Sequence, residues 1–526
     1  MTRASSLPDA GAAGESRTAW FLLAVLVAAT ASRWLLRGLD GLNLHYDEAQ
    51  YYAWSLHPAW GYYSKPPLIA WVIAAACATC GDSEFCIRLP AALALAAAAG
   101  FVFAIARRLA GPRIALPAAL LFALAPLVSF LSLFMTTDSL LLLAWAAGLY
   151  AFVRAVEAPR SRADVAGRGR LAWWSAVGLA AGVGLLAKYT MGIFALSALG
   201  YLAARPRRAL LRSAGPWIAV VVAAACFAPN LAWNEAHRFA TFAHTATISE
   251  LDRAGLEPRR LVEFIGAQVA VFGPLAWFGV AFATRRARDT AAGAADGPVP
   301  DGPWAARDAG RLLLWFTLPF LAVISAQALV ARANANWAAP TYVAASILAA
   351  VGLLPRRTWF AAAIVVDVAL AIVGLQYREV ASAFGVEWRW RDPAAELQGW
   401  DRLGPQVAGL LKSAGSDGRP ARLLTDDRSL LSWLTYYARP LAADALIWNV
   451  LRHVENHFDL LYDVEGAPDG PFVFVAARDR APELRAAFDG VEPLGRLEFH
   501  GTRGPASNHV LFAYRLGRFK GYAPRH

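Results

Sequence analysis

Long apolar runs separated by short arginine-rich loops constrain this chain more than any other feature. Runs such as 19–32, 89–106 and 361–375 reach or approach the about 20 apolar residues a membrane-crossing helix needs. Candidate spans fall at 18–36, 87–106, 114–133, 139–156, 171–187, 189–204, 213–229, 262–283, 312–330, 337–354 and 358–375, about eleven in all. The apolar stretch 66–78 is shorter and follows a proline pair, as an interfacial or re-entrant helix would. Composition agrees: 57% of residues are hydrophobic and 17% charged, where a soluble protein carries about 25% charged. Residues 1–17 are polar, with Arg3 and Arg17, and no small-x-small cleavage site precedes a soluble domain. A retained first helix is expected.

Arginine fixes the expected orientation. With the N-terminus cytoplasmic, every second loop is Arg-rich. These loops carry Arg107, Arg108 and Arg113; Arg160, Arg162, Arg168 and Arg170; Arg205, Arg207, Arg208 and Arg212; Arg285, Arg286, Arg288, Arg307 and Arg311; and Arg356 and Arg357. That alternation is the positive-inside pattern. The loops 37–86 and 230–261, and everything after 375, then face outward. The net charge of +11 is spent on topology, so nucleic acid is not an expected partner. Four cysteines are too few for a disulfide framework. Cys77, Cys80 and Cys86 lie close enough in sequence for one disulfide, and a lone CxxC is weak evidence for zinc.

Residues 376–526 read as a soluble α/β domain. Alternating runs at 422–425, 472–476, 496–500 and 510–515 predict strands, and 406–412, 429–437 and 481–488 predict helices. No phosphate loop or triad falls there, and no chemistry is assigned to it. The expected organisation is a cytoplasmic tail (1–17), a polytopic helical domain (18–375) with the large outer loop 37–86, and an outer α/β domain (376–526).

The chemistry-bearing residues cluster at outer loop positions. Asp47 and Glu48 are adjacent acids amid aromatics, in the run Asn43-Leu-His45-Tyr-Asp47-Glu48, which continues to Tyr62-Tyr-Ser64-Lys65-Pro-Pro. Adjacent positions point to different faces, so one of the two acids enters a given site and the other caps or orients. Solvation of both is the bland alternative. Asp138 stands between two apolar spans, either as a helix N-cap or as a second acid at the site. Only four of the 50 basic residues are Lys, and Lys65 and Lys188 lie in the membrane domain. A lysine there binds phosphate oxygen or snorkels to lipid headgroups. After the seventh span, Asn230, Asn234, His237 and Arg238, then Thr241 and His244, recur at helical spacing, which suits a cavity-lining helix or a wet amphipathic one. Asn334 and Asn336 bring further amides to a span end. His45, Tyr62, Lys188, Asn234 and His237 are the expected lining residues.

At these residues the chain resembles the glycosyltransferases of family 39, the protein O-mannosyltransferases and bacterial aminoarabinose transferases, multi-span enzymes with the C-type glycosyltransferase fold. The resemblance is carried by Asp47-Glu48, by the run 60–67 ending in Lys65-Pro-Pro, and by 83–90. It continues through Thr136-Thr137-Asp138, Leu186-Ala-Lys188-Tyr189 and 230–234. It implies a polyprenyl-phosphate sugar donor and transfer, with inversion, onto a glycolipid, polysaccharide or protein at the periplasmic face of a bacterial inner membrane. By the same resemblance Asp47 is the base or acceptor-orienting acid, Lys65 holds the donor phosphate and Asp138 is a second acid; Arg238 is a further cation suited to the leaving phosphate, and Glu48 a further candidate acid. Where relatives often carry an acid before the Lys-Pro-Pro lysine, this chain has Ser64, which leaves a divalent metal unsupported; no cofactor is expected. A transporter or flippase for a lipid-linked substrate is the rival, and would need paired broken helices and mid-membrane ionisable groups such as Asp367.

Overall fold

The computed structural model describes residues 10–39, 41–157, 168–204, 207–249, 255–293, 305–385, 392, 394–416, 418–467, 470–503 and 505–522. Arg3, Arg160, Arg162 and Arg205 lie outside those residues, as do 294–304 and the side chains of Arg17, Arg168 and Arg288.

Among the described residues six helices are long and apolar enough to cross a bilayer: Glu84–Ala110, Thr137–Val156, Gly169–Ala187, Ala214–Ala236, Ala306–Val330 and Arg357–Leu375. Pro258–Phe272 and Pro274–Arg286 make a seventh if counted as one crossing, although they are bent by 95°. Shorter apolar helices cover Trp20–Ser32, Leu68–Cys80, Pro112–Leu124, Tyr189–Ala203 and Thr341–Leu353.

Three expected spans are interrupted, each shortly before a proline. The run 114–133 breaks at Ala125, whose ψ of 136° leaves the helical region ahead of Pro126. The run 312–330 bends at Phe316 and Thr317, ahead of Pro319. The run 262–283 breaks at Gly273, ahead of Pro274. Proline lacks an amide hydrogen and crowds its predecessor out of the helical region, so apolar continuity alone does not make a continuous helix. Gly273 has φ +108°, a conformation that favours glycine, and a Cβ there would run into the Asp367 carboxylate.

The chain forms two compact bodies. The first comprises 1–36, 88–232 and 245–377. Its core includes Trp145, set edge-on to Phe194 and Phe320 with ring centroids 5.2 and 5.1 Å away. Helices Pro274–Gly293 and Thr341–Leu353 meet through Gly279 and Gly352. A Cβ on Gly279 would lie 2.7 Å from the Ala349 carbonyl oxygen, so small residues let the two backbones approach. Arg108 pairs with Glu157 at 3.0 Å and Arg207 with Asp308, so arginines read as topology signals also tie helix ends together.

The second body comprises 37–87, 233–244 and 378–526. The 37–87 segment, expected within the membrane domain, therefore clusters with the tail. The tail holds a sheet of β1 (Arg422–Thr425), β2 (Leu446–Ile447), β3 (Phe472–Ala476), β4 (Glu492–Phe499) and β5 (His509–Leu516), in the order β2-β1-β3-β5-β4. Strands β2, β1 and β3 run parallel, and β5 is antiparallel to β3 and β4. Every residue of β3 is buried, as a central strand covered on both faces requires. The two-residue β2 is too short to leave a period-two signal. Helix Arg428–Tyr437 packs against helix Tyr46–Ser55 of the 37–87 segment.

Candidate active site

In the second body, helix Tyr46–Ser55 starts where a reciprocal cap stops the extended chain. The His45 imidazole Nδ1 accepts from the Asp47 N–H at 3.2 Å, and the Glu48 carboxylate accepts from the His45 N–H at 3.0 Å. The tail anchors the preceding residues. Asn43 N–H donates to the Leu397 carbonyl at 2.7 Å, Leu44 N–H to the Tyr437 hydroxyl at 2.7 Å, and the Trp433 indole N–H to the Leu44 carbonyl at 2.9 Å. Capping draws Glu48 inward to 2% exposure. Asp47, one position earlier, turns the other way: its side chain is 43% exposed, with one oxygen 3.8 Å from His45 Nδ1.

The Lys65 loop is built on aromatic packing. Tyr62 is fully buried and stacks on Trp54 with centroids 4.5 Å apart, its hydroxyl donating to the Trp54 carbonyl at 3.1 Å. Burial pushes that phenol up to about 12. Tyr62 is thus a packing residue of the loop, and half-buried Lys65 follows it across a turn closed by Tyr62 N–H to the Lys65 carbonyl at 3.2 Å. The Thr241 hydroxyl donates to the Tyr62 carbonyl at 2.7 Å, tying the 233–244 segment to this loop.

That segment makes an unusual turn. Arg238 and Phe239 both have φ +55°, a left-handed conformation costing non-glycine residues on the order of 1 kcal/mol or more each. Buried Asn234 holds it: its carbonyl accepts from Phe239 N–H at 2.6 Å and its side-chain oxygen from Thr241 N–H at 3.3 Å. His237 stacks on Trp233 with centroids 4.0 Å apart, and Arg238 is exposed on the turn.

Three further residues belong to this body: His244, the last polar position of the run that opens at Asn230, and Arg428 and His457, which carry no sequence signal. The Arg428 guanidinium lies 5.4 Å from the centroid of the Tyr46 ring. The His244 ring is 5.1 Å from Tyr63 and is pushed down to about 4 by burial first, then by the charges of Lys65 and Arg428. His457, 3% exposed, receives the Tyr63 N–H on Nδ1 at 3.4 Å between the rings of Trp54 and Tyr62. Burial, with lesser repulsion from His237 and His57, lowers it to about 3. Arg428 and His457 sit on segments without a motif, so only the tertiary fold places them.

In the first body, Asp138 is not the N-cap; Thr136 holds that position and Asp138 lies inside the first turn. One Asp138 oxygen accepts from Lys188 Nζ at 2.7 Å and the other from the Asn336 amide at 2.8 Å, with Asp138 4% exposed. Gln268, which the sequence did not single out, braces the same corner. Its amide donates to the Ala335 carbonyl at 3.0 Å and its oxygen accepts from the Tyr342 hydroxyl at 2.6 Å. Tyr189 donates to Asn230 at 2.9 Å. The candidates therefore gather as Asp138, Lys188 and Asn336 in one body, and as His45, Asp47, Glu48, Tyr62, Lys65, Asn234, His237 and Arg238 in the other. Cys80 and Cys86 form a disulfide, and no cluster of His, Cys, Asp and Glu suited to a metal occurs among the described residues.

Residues 64–233 match the family model described as dolichyl-phosphate-mannose-protein mannosyltransferase. The chain is also 34% identical over 330 residues to the lipid A galacturonosyltransferase RgtD of Rhizobium johnstonii, a match covering 62% of this chain. The chain spans 64% of the length of that curated relative. The fold is that of ArnT from Cupriavidus metallidurans. The apo structure matches with TM-score 0.60 and 16% identity over 95% of this chain and 98% of that one. The undecaprenyl-phosphate-bound structure matches with TM-score 0.60 and 18% identity over 94% and 98%. The chain is accordingly a helical multi-span membrane protein of the C-type glycosyltransferase fold with a small C-terminal sheet domain.

Proposed function

We propose that this protein is an inverting glycosyltransferase that moves a sugar from a polyprenyl-phosphate donor to an acceptor at the periplasmic face of the inner membrane. Its N-terminus is cytoplasmic and its second body periplasmic, the side the arginine alternation favours and the side where the Cys80–Cys86 disulfide persists. The donor class is supported by the relatives: one is named for galacturonosyl transfer to lipid A, and another was solved with undecaprenyl phosphate.

The observation that carries the assignment is the division of labour between the adjacent acids. Glu48 is committed to the cap, while Asp47 keeps a half-exposed carboxylate on a helix start anchored by the tail. A carboxylate in that state can take the proton of an acceptor hydroxyl as it attacks the anomeric carbon. Lys65, with Arg238, neutralises the lipid phosphate as it leaves. Asp138, paired with Lys188 and Asn336, is the second acid that the resemblance implies. Asp47→Asn with intact membrane insertion is expected to lose transfer. Mass spectrometry of lipids from cells lacking the gene should reveal one accumulating polyprenyl-phosphate sugar, relieved by wild type and not by that variant. Full relief by Asp47→Asn rejects the base assignment.

One feature favours the transport reading, the 95° break at Gly273 against buried Asp367. Inverted repeats would supply two such breaks, and one bent pair occurs among the described residues. Movement of the lipid-linked sugar across proteoliposomes without any acceptor would sustain that reading.

A further inference from the structure

The cap that starts helix Tyr46–Ser55 works in one protonation state of its histidine. A backbone N–H only donates, so the His45 Nδ1 that receives the Asp47 N–H at 3.2 Å carries a lone pair and no hydrogen. The same nitrogen lies 3.8 Å from an Asp47 side-chain oxygen, beyond hydrogen-bond length. One imidazole nitrogen thus stands beside both the amide and the carboxylate of the residue proposed as the base. Neutral, it serves the amide and leaves the carboxylate to the acceptor. Charged, it carries a hydrogen on Nδ1, loses the amide and turns to the carboxylate. The His45 side chain is 38% exposed, so water can deliver that proton.

The surroundings direct the charge. A cation at a helix N-terminus opposes the helix dipole and is held there only by an anion. Glu48 is already engaged by the His45 N–H at 3.0 Å. The Tyr46 ring lies 4.2 Å from that of His45. The Asp47 charge first, then burial, holds the Tyr46 phenol above its ordinary range, while Arg428 and Glu396 from the tail act on it in opposite senses. Glu84 accepts from the Tyr437 hydroxyl, which itself receives the Leu44 N–H. Arg428 disfavours a charged imidazole and the acids favour it; Asp47 is the acid at ion-pair distance from Nδ1. We propose that His45 positions the Asp47 base and does so only as the neutral imidazole. Protonation at Nδ1 ends the bond to the Asp47 N–H and forms an imidazolium–carboxylate pair, so the helix start loses its cap as the base becomes occupied. The inference deepens the glycosyltransferase reading above and rests on it.

The full-length protein in detergent is given the lipid extract of cells lacking the gene. Consumption of the accumulated polyprenyl-phosphate sugar is followed by mass spectrometry at pH 8 and pH 5.5. Wild-type turnover is expected to fall about 10-fold between the two, as one histidine-type protonation requires. His45→Asn keeps a capping side chain without a titrating ring, and its turnover should fall less than about 3-fold over the same interval. The ratio is taken within each protein, so a general cost of the substitution cancels, as do the remaining histidines. Equal ratios in the two proteins overturn the proposal. A second measurement needs no turnover: a double-mutant cycle of His45→Asn and Asp47→Asn on the unfolding temperature should show a coupling at pH 5.5 that is absent at pH 8. A coupling that is the same at both overturns the pairing. Wild type that consumes no lipid-linked sugar at either pH overturns the glycosyltransferase reading and the role of His45 in it, whatever the cycle shows of the pair.

Discussion

Adjacent acids and paired charges are where single residues divide into those that hold the fold and those offered to chemistry. Glu48→Ala removes half of the reciprocal cap and should destabilise the protein by roughly 0.5–2 kcal/mol, read as a lower unfolding temperature. Asp47→Asn should leave that temperature nearly unchanged while reducing turnover on the order of 100-fold or more. The Asp138–Lys188 pair behaves differently because it is buried. Removing Lys188 alone strands a carboxylate and should cost about 3–5 kcal/mol, whereas Asp138→Asn combined with Lys188→Met should recover much of that loss. His457 supplies a pH signature. Its folded value, about 3, lies below the ordinary 6.5, so the unfolded chain takes up a proton that the folded protein refuses. Its contribution is fully present above pH 6.5 and is lost as pH falls from there toward 3, with a slope of up to about 1.4 kcal/mol per pH unit. Comparing unfolding temperatures at pH 7 and 5 should give a steeper drop for wild type than for His457→Phe.

Among the elements, the break between Pro258–Phe272 and Pro274–Gly293 is the most constrained. Gly273 combines φ +108° with a neighbour that leaves no room for a methyl group. Gly273→Ala is expected to lower stability by about 1–3 kcal/mol and reduce the folded yield in membranes. Adding Asp367→Ala should restore part of the loss by relieving the collision, and leave the part that comes from backbone strain. A fully stable Gly273→Ala protein would show that the break straightens without penalty.

On the scale of the whole molecule, the sheet domain and the 37–87 segment form one body. Tyr51, Tyr52 and Trp54 of helix Tyr46–Ser55 are nearly fully buried there, and Tyr52 packs edge-on to Tyr436 at 4.9 Å. A chain ending at residue 377 would leave those aromatics uncovered and the start of the helix unanchored. It should insert in membranes, become protease-sensitive within 37–87, and lose transfer activity. Retained activity would make the tail an accessory module.

The sequence by itself determined the membrane character, the positions of the apolar helices and most of the tail's strands, because burial in lipid or in a sheet imposes a period on neighbouring residues. Strands β1 and β3 coincide with the expected runs, while apolar continuity masks the breaks at Ala125 and Gly273 that Pro126 and Pro274 mark. It also brought Asp47, Glu48, Lys65 and Asp138 forward, as charges in a chain that carries few. Tertiary structure alone decided which acid caps and which stays half-exposed, that Lys188 and Asn336 close on Asp138, and that the tail lends His457 and Arg428 to the first loop. Those contacts join residues up to 394 positions apart, and no local periodicity records a partner at that distance.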